Sequence, residues 1–250
     1  MSYIRCSDNY SSPYYTPTEN LQGLFKDQVV QPFEAISSWR NQVENTDFEY
    51  HRKVILDQGR TNFDVPFAGL SQKDKVTLYC VHYMPMHLFS SYHIFTQYLT
   101  SVSNRVVFID FGCGPLTSGI AFWASARQSN MIYFGIDSSQ AMLEKAKEIN
   151  RYGPKKNRDP FFRNLQAIDG YHKLTSLLDY YIKKGDGTQI IFNFCYFLAS
   201  RTLDINDLSE CLTQIVEKYH QHKMCMVYQN PCPPASVPIE ISYFHTNWGY

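Results

Sequence analysis

The order of apolar and polar segments predicts an α/β fold, a doubly wound parallel sheet that follows a helical N-terminal region. Hydrophobic residues make up 44% of the 250 residues and charged residues 18%, which is enough apolar material for a folded core. From residue 105 onward, short apolar runs alternate with segments of helical period, as expected where helices connect parallel strands. A turn with two glycines follows the first of these runs, where such folds often hold a ligand.

Each element has its own pattern in the chain. Short β-branched and aromatic runs predict five strands, at 106–110, 131–136, 161–167, 189–194 and 223–228. Segments of helical period that start with polar residues predict the connecting helices, at 117–124, 138–147, 170–184 and 207–220. Residues 21–99 have a mostly helical pattern, which Pro66 and Gly69 interrupt.

The turn after the first predicted strand carries one acid and two glycines, Asp110, Gly112 and Gly114. Glycine lets the backbone turn tightly and approach a ligand where a Cβ atom would clash. A dinucleotide fingerprint would have its third glycine where this chain has Thr117. An acid before the turn also repels a pyrophosphate and suits a ligand with an ammonium group. The pattern therefore disfavours a nicotinamide-dependent oxidoreductase, which stays as an alternative.

The second predicted strand also ends in an acid, Asp137, and Ser138 then begins the next predicted helix. A carboxylate at the tip of this strand can accept two hydrogen bonds from ribose hydroxyls. A purely structural strand–helix crossover would explain the apolar runs, but it would not explain an acid at the end of both strands. The two acids therefore favour a cofactor site.

The motif of Asp110 and its two glycines resembles motif I of the class I S-adenosylmethionine-dependent methyltransferases, and residues 135–143 are similar to their second-strand motif. The resemblance covers residues 105–230. It implies a Rossmann-like sheet of strand order 3-2-1-4-5, with S-adenosylmethionine in the crevice between the tips of strands 1 and 4. It also implies that Asp169 accepts a hydrogen bond from the adenine amino group, although capping of the next helix is an equal alternative. We expect cofactor binding by Asp110, Gly112, Gly114, Asp137, Ser138 and Asp169.

Three residues are candidates for catalysis: Asn193, Tyr196 and His87. Amino-methylating members of the family carry Asn/Asp-Pro-Pro-Tyr/Phe after strand 4, and this chain has the Asn and the Tyr but neither proline. Their absence weakens an amino-methylation function, because the prolines fix the backbone that directs the Asn carbonyl. The alternative makes Asn193 a strand-end polar group and Tyr196 a wall of the pocket. His87 could serve as a general base near neutral pH, against the alternative of a packed or surface histidine.

We expect three parts in the chain: a mobile arm at 1–20, a helical region at 21–100 that covers the active-site mouth, and the cofactor-binding domain at 101–250. The resemblance implies a further helix and an antiparallel hairpin after the fifth strand. Only about 20 residues remain there, four of them prolines, which is too few for both elements. Either the sheet is abbreviated or the chain is a shortened form of something longer.

The composition of the chain indicates its cellular compartment and which classes of partner are favoured. Basic and acidic residues number 23 each, so charge does not indicate a nucleic-acid partner. Seven scattered cysteines without a Cys-x-x-Cys pair favour a reducing compartment, by default the cytoplasm, and argue against a disulfide framework or a metal site. We find no apolar run of membrane-spanning length and no signal-peptide pattern.

The sequence thus predicts an enzyme that transfers a methyl group from S-adenosylmethionine to an unidentified acceptor. Neutral charge and an aromatic N-terminal region favour a small molecule or a protein side chain as the acceptor. A catalytically silent protein of the same fold, acting as a partner-binding module, is the first alternative. An RNA methyltransferase is a further one.

Overall fold

The structure is a computed structural model that describes residues 2–5, 19–35, 48–99, 105–125, 131–152, 166–168, 171–198, 200, 203–229 and 240–243. Strand β1 (Ser2–Arg5) comes first. The helices before the main sheet are α1 (Glu19–Phe25), α2 (Gln31–Ala35), α3 (Phe48–Tyr50), α4 (Gln72–His82) and α5 (Met84–Tyr98). Shorter helical turns of other types occupy Lys26–Val30, His51–Ile55 and Asp57–Gly59.

Strands and helices alternate in the second part of the chain. The strands of the main sheet are β2 (Val106–Phe111), β3 (Met131–Ile136), β4 (Gln166–Ile168), β5 (Gln189–Cys195) and β6 (Lys223–Gln229). The connecting helices are α6 (Thr117–Ser125), α7 (Gln140–Tyr152), α8 (Leu174–Tyr181) and α9 (Ile205–Lys218), and a short helical turn at Tyr171–Lys173 precedes α8. Strand β7 (Glu240–Tyr243) pairs antiparallel with β1 in a separate two-stranded sheet.

The main sheet is parallel and has the order β4-β3-β2-β5-β6. Numbered from the first strand of this sheet, that order is 3-2-1-4-5, so the predicted Rossmann-like α/β fold is confirmed. The order reverses between β2 and β5, which is where ligands of open α/β sheets bind. The register sets Asp110 of β2 opposite both Gly135 of β3 and Asn193 of β5.

Both faces of the sheet are covered by helices, which explains the continuous apolar runs of its strands. Val107, Ile109 and Phe111 face one buried cluster, which includes apolar side chains of α8 and α9. Phe108 faces the other cluster, together with the N-terminal helices, α6 and α7. In that second cluster the Phe95 ring of α5 meets the rings of Phe108 and of Phe122 edge-on, at centroid distances of 5.7 and 5.5 Å.

The structure describes only part of the arm predicted at 1–20, so that prediction stays open. Of the third predicted strand, it describes β4, which begins near the end of the predicted range and forms one edge of the sheet. In the part of the chain that the structure describes, no helix combines the length and the apolar character needed to cross a membrane.

Candidate functional site

The glycine turn connects the end of β2 to the start of α6. Gly112 and Gly114 have φ angles of +67° and +52°, a backbone region that other residues rarely adopt. Between them, the Cys113 amide donates a hydrogen bond of 2.9 Å to the Ile136 carbonyl, which joins the turn to the tip of β3. The space beside Gly114 is open, because an added Cβ atom would meet nothing within 4 Å.

Asp137, just after β3, binds the same turn. Its Oδ2 accepts a hydrogen bond from the Gly114 amide and its Oδ1 accepts one from the Ser139 amide, both at 2.9 Å. Burial raises the pKa of Asp137, and hydrogen bonds from backbone amides, including that of Ser138, oppose this rise. Asp137, the acid of the second motif, is therefore hydrogen-bonded to Gly114, the second glycine of the first motif.

Asp110 is buried and bridges two neighbouring strands. Its Oδ2 accepts a hydrogen bond of 2.6 Å from the Tyr133 hydroxyl, and its Oδ1 accepts one of 2.7 Å from Asn193 Nδ2. Burial raises the pKa of Asp110 to about 7, against the lowering effect of these two bonds. This carboxyl is 1% exposed, so in this structure its hydrogen bonds are made inside the protein.

Two glycines make room for the Tyr133 ring. A Cβ atom on Gly135 would lie 2.9 Å from Tyr133 Cε1, and one on Gly119 would lie 2.8 Å from Tyr133 Cε2. Gly119 is the next glycine after the two of the turn. Its structural role is thus to let the tyrosine lie between α6 and the sheet and reach Asp110.

Asn193 is fully buried, and its side-chain oxygen is unsatisfied. Its Nδ2 donates to Asp110, while its Oδ1 has no hydrogen-bond partner among the described residues. A buried acceptor without a donor is unfavourable by about 1–3 kcal/mol, and such atoms often mark a place where a ligand binds. Thr117 Oγ1, at the start of α6, is a second buried atom of this kind.

His87 and Tyr196 lie together at the β5 end of the crevice. Their rings stack with centroids 3.6 Å apart and planes 18° from parallel. The Tyr196 hydroxyl is 2.9 Å from Ser90 Oγ of α5 and accepts a hydrogen bond of 2.9 Å from Gln229 Nε2 of β6. Tyr196 therefore connects the covering helix to the sheet.

Burial also affects the ionisation of His87. It lowers the pKa of His87 to about 4, so the ring is neutral near pH 7. His87 Nδ1 lies 3.4 Å from the Tyr79 hydroxyl. A neutral imidazole has a free acceptor nitrogen, but a pKa of about 4 makes it a weak base near pH 7.

Phe197 covers the glycine turn. The place of a Cβ atom on Gly112 would be 3.2 Å from both Cβ and Cγ of Phe197. The Phe197 ring also lies 6.1 Å from that of Phe111, at the end of β2, and 6.5 Å from that of Phe194 in β5. The rings of Phe111 and Phe194 stack on each other with centroids 4.9 Å apart, so the Phe197 ring lies beside this pair at the ends of the two central strands.

Asp64, from the loop before α4, closes the side of the site next to Asp137. Its carboxylate accepts hydrogen bonds from the backbone amides of Gln140 and Ala141, at 3.2 and 2.8 Å, and from Ser139 Oγ at 3.1 Å. These bonds cap the first turn of α7 with a negative charge, which also suits the helix dipole.

The structure brings the predicted residues together in pairs: Asp137 with Gly114, Asp110 with Asn193, and His87 with Tyr196. Asp169 lies outside the described residues. Sequence reasoning missed Tyr133, Asp64 and Phe197. Only Tyr133 had a usable signal, because it precedes Gly135 by two positions and so lies on the same face of β3.

Comparisons with known proteins give distant similarities. No family model matches the chain, and no curated protein matches it. One similar solved structure is a protein of Methanococcus maripaludis, provisionally identified as an S-adenosyl-L-methionine-dependent methyltransferase, with 17% identity, coverage of 62% of this chain and 63% of that one, and a TM-score of 0.40. Another is from Clostridium thermocellum, provisionally identified as an rRNA methylase, with 16% identity, coverage of 52% and 64%, and a TM-score of 0.33.

A third similar structure is the magnesium protoporphyrin IX methyltransferase of Synechocystis PCC 6803 with bound S-adenosylmethionine. It has 13% identity, coverage of 71% of this chain and 72% of that one, and a TM-score of 0.32. The chain spans less than two thirds of the length of the first two structures. All three are described as methyltransferases or methylases, the class that the sequence motifs resemble, while the assignment of the fold rests on the strand order of the sheet itself.

Proposed function

We propose that this protein is an S-adenosylmethionine-dependent methyltransferase. The observation that carries the proposal is the junction of Asp137 with the amide of Gly114. It unites the acid of the second strand with the glycine turn of the first, at the edge of the sheet where the strand order reverses. A ligand with a ribose and an amino-acid part would contact both at once.

The residues at this edge fit the proposed cofactor. The open space at Gly114 allows close approach of a ligand to the backbone. The backbone amides of Gly114, Ser138 and Ser139 bond the Asp137 carboxylate, which leaves one of its roughly four lone-pair sites for a ribose hydroxyl. Asp110 is a weaker candidate for direct contact than the sequence predicts, since its carboxylate is engaged with Tyr133 and Asn193.

The proposed cofactor, when bound, supplies an electrophilic methyl group. The chain's own residues would then position the acceptor and take up its proton. The Asn193 Oδ1 atom is unsatisfied but fully buried, so it would accept a hydrogen bond from the acceptor after the side chains that cover it move aside. The His87 ring would receive a proton from the acceptor at a cost, because its pKa of about 4 makes it a weak base near pH 7. Tyr196 would act through its stacking on His87.

For the acceptor, we propose a small molecule or a protein side chain. The equal numbers of basic and acidic residues support this choice over bulk nucleic acid. We also propose a reducing, cytoplasmic setting. Its support is the set of five described cysteines, all buried and unpaired: Cys80, Cys113, Cys195, Cys211 and Cys225.

Calorimetric titration with S-adenosylmethionine and S-adenosylhomocysteine tests the proposed cofactor. We expect wild type to bind both, and Asp137→Ala to bind them about 10- to 100-fold more weakly through the loss of charged hydrogen bonds. Asp137→Asn keeps an acceptor for one backbone amide and disturbs the fold less, so it serves as a second test of the Asp137 contacts. Glu210→Ala removes an exposed acid on α9 and should leave affinity unchanged. If wild type binds neither compound, the proposal is wrong.

A further inference from the structure

The Phe197 side chain lies at the point of the sheet where a ligand would enter. Ligands of open parallel sheets bind outside the carboxyl ends of the strands, where the strand order reverses, here between β2 and β5. The Phe197 ring lies at this point, against Gly112 and beside the stacked rings of Phe111 and Phe194. A ligand atom cannot share with this ring the space where a Cβ atom of Gly112 would be.

The backbone just before Phe197 is held firmly. The Tyr196 amide donates a hydrogen bond of 2.6 Å to the Gln229 carbonyl, and the Tyr196 hydroxyl is bonded to Ser90 and to Gln229. Tyr196 also has a φ angle of +61°, an unusual value for a residue with a side chain. These contacts therefore hold the backbone of Tyr196 in its unusual conformation.

The Phe197 side chain itself is held more weakly than its neighbour. Its ring is only partly buried where it packs against the buried cluster on the α8 and α9 face, and its ring contacts with Phe111 and Phe194 are loose. Rotation about the bonds of an exposed or half-exposed side chain is fast and needs no backbone movement. Rotation away from the crevice would uncover Gly112 and leave the anchor at Tyr196 in place.

We infer that Phe197 is a plug that competes with the ligand for the space above the glycine turn. The inference rests on the proposed function, and it concerns what sets the affinity at that site. The protein binds the ligand only when the ring is rotated out. The apparent Kd therefore equals the Kd of that state divided by the fraction of molecules in it. Removal of the ring would make every molecule competent to bind.

Titration of S-adenosylhomocysteine into Phe197→Ala tests the plug. Because minor states are typically populated at 10% or less, we expect the Kd to fall about tenfold or more relative to wild type. Stopped-flow mixing should show faster association as well. Leu198→Ala, an exposed neighbour in the same turn, is the matched control and should keep the wild-type Kd.

The outcomes separate this inference from the proposed function. A Kd that is unchanged or higher in Phe197→Ala, with wild type still binding, overturns the plug and leaves the methyltransferase proposal intact. Such a rise would mean that the ring stacks on the ligand instead of competing with it. No binding by wild type, Phe197→Ala or Leu198→Ala overturns both.

Discussion

Single residues control how the buried network under the site is built. The Tyr133 hydroxyl reaches Asp110 because Gly135, directly opposite Asp110 in the sheet, has no side chain. We predict that Gly135→Ala lowers the free energy of unfolding by about 1–3 kcal/mol, since the new methyl group overpacks against Tyr133 and Cys113. Urea unfolding followed by circular dichroism measures the change.

The control for this prediction is a glycine with free space around it. Gly23 lies inside α1, and an added Cβ atom there would meet nothing within 4 Å. Gly23→Ala should therefore raise stability, by up to about 1 kcal/mol, because alanine is the better helix former. Equal effects of the two substitutions would contradict the packing that we assign to Tyr133.

The ionisation of Asp110 gives a second prediction about one residue. Its pKa is about 7 in the folded protein because of burial, well above the ordinary aspartate value. Between about pH 4 and pH 7 the folded state therefore holds a proton that the unfolded state has lost. The contribution of Asp110 to stability is complete at the acid end of this window and disappears as the pH rises through 7.

We predict that Asp110→Asn removes this part of the pH dependence. The wild-type free energy of unfolding should fall by about 1–4 kcal/mol more than that of the variant between pH 4 and pH 8. Urea titrations at several pH values give the free energy of unfolding of both proteins. The contributions of other titrating groups are the same in both and cancel when one is subtracted from the other. Parallel pH profiles for the two would show that the carboxyl is not held in the buried network.

At the level of secondary-structure elements, the apolar runs predicted the strands well. Strands β2, β3, β5 and β6 lie where the sequence predicts them, because buried parallel strands need side chains that are apolar on both faces. Helix α4 begins with a capping box, in which the side chains of Ser71 and Asp74 accept hydrogen bonds from each other's backbone amides. Such signals are local, so they can be read from a short stretch of sequence.

Contacts between elements that are distant in sequence could not be predicted in the same way. The bond between Asp110 and Asn193 joins residues 83 positions apart and depends on the register of two strands. Asp64 reaches α7 across 76 positions, because the buried Lys75 ammonium holds its loop through the carbonyls of Asn62 and Val65. The predicted binding and catalytic roles themselves stay predictions.

Across the whole molecule, the helical N-terminal region and the sheet share one core. A single buried cluster includes Leu21 and Ile55 from the N-terminal region as well as Phe108 and Tyr133 from the sheet. Polar bonds add to it: the buried Lys145 ammonium of α7 donates to the carbonyl of Gln28 at 2.9 Å. The covering helices are therefore part of the fold that forms the crevice, and we expect both regions to unfold together.

A substitution in the N-terminal region should consequently weaken the sheet. We predict that Ile55→Ala, at a 4% exposed position, lowers the free energy of unfolding by about 2–5 kcal/mol. Hydrogen-exchange mass spectrometry should show equal losses of protection in α4 and in β2, because both amide sets exchange through the same global opening. Val54→Ala, at the exposed neighbouring position, should change stability by less than about 0.5 kcal/mol. Loss of protection in α4 alone would instead mean that the helical region unfolds separately from the sheet.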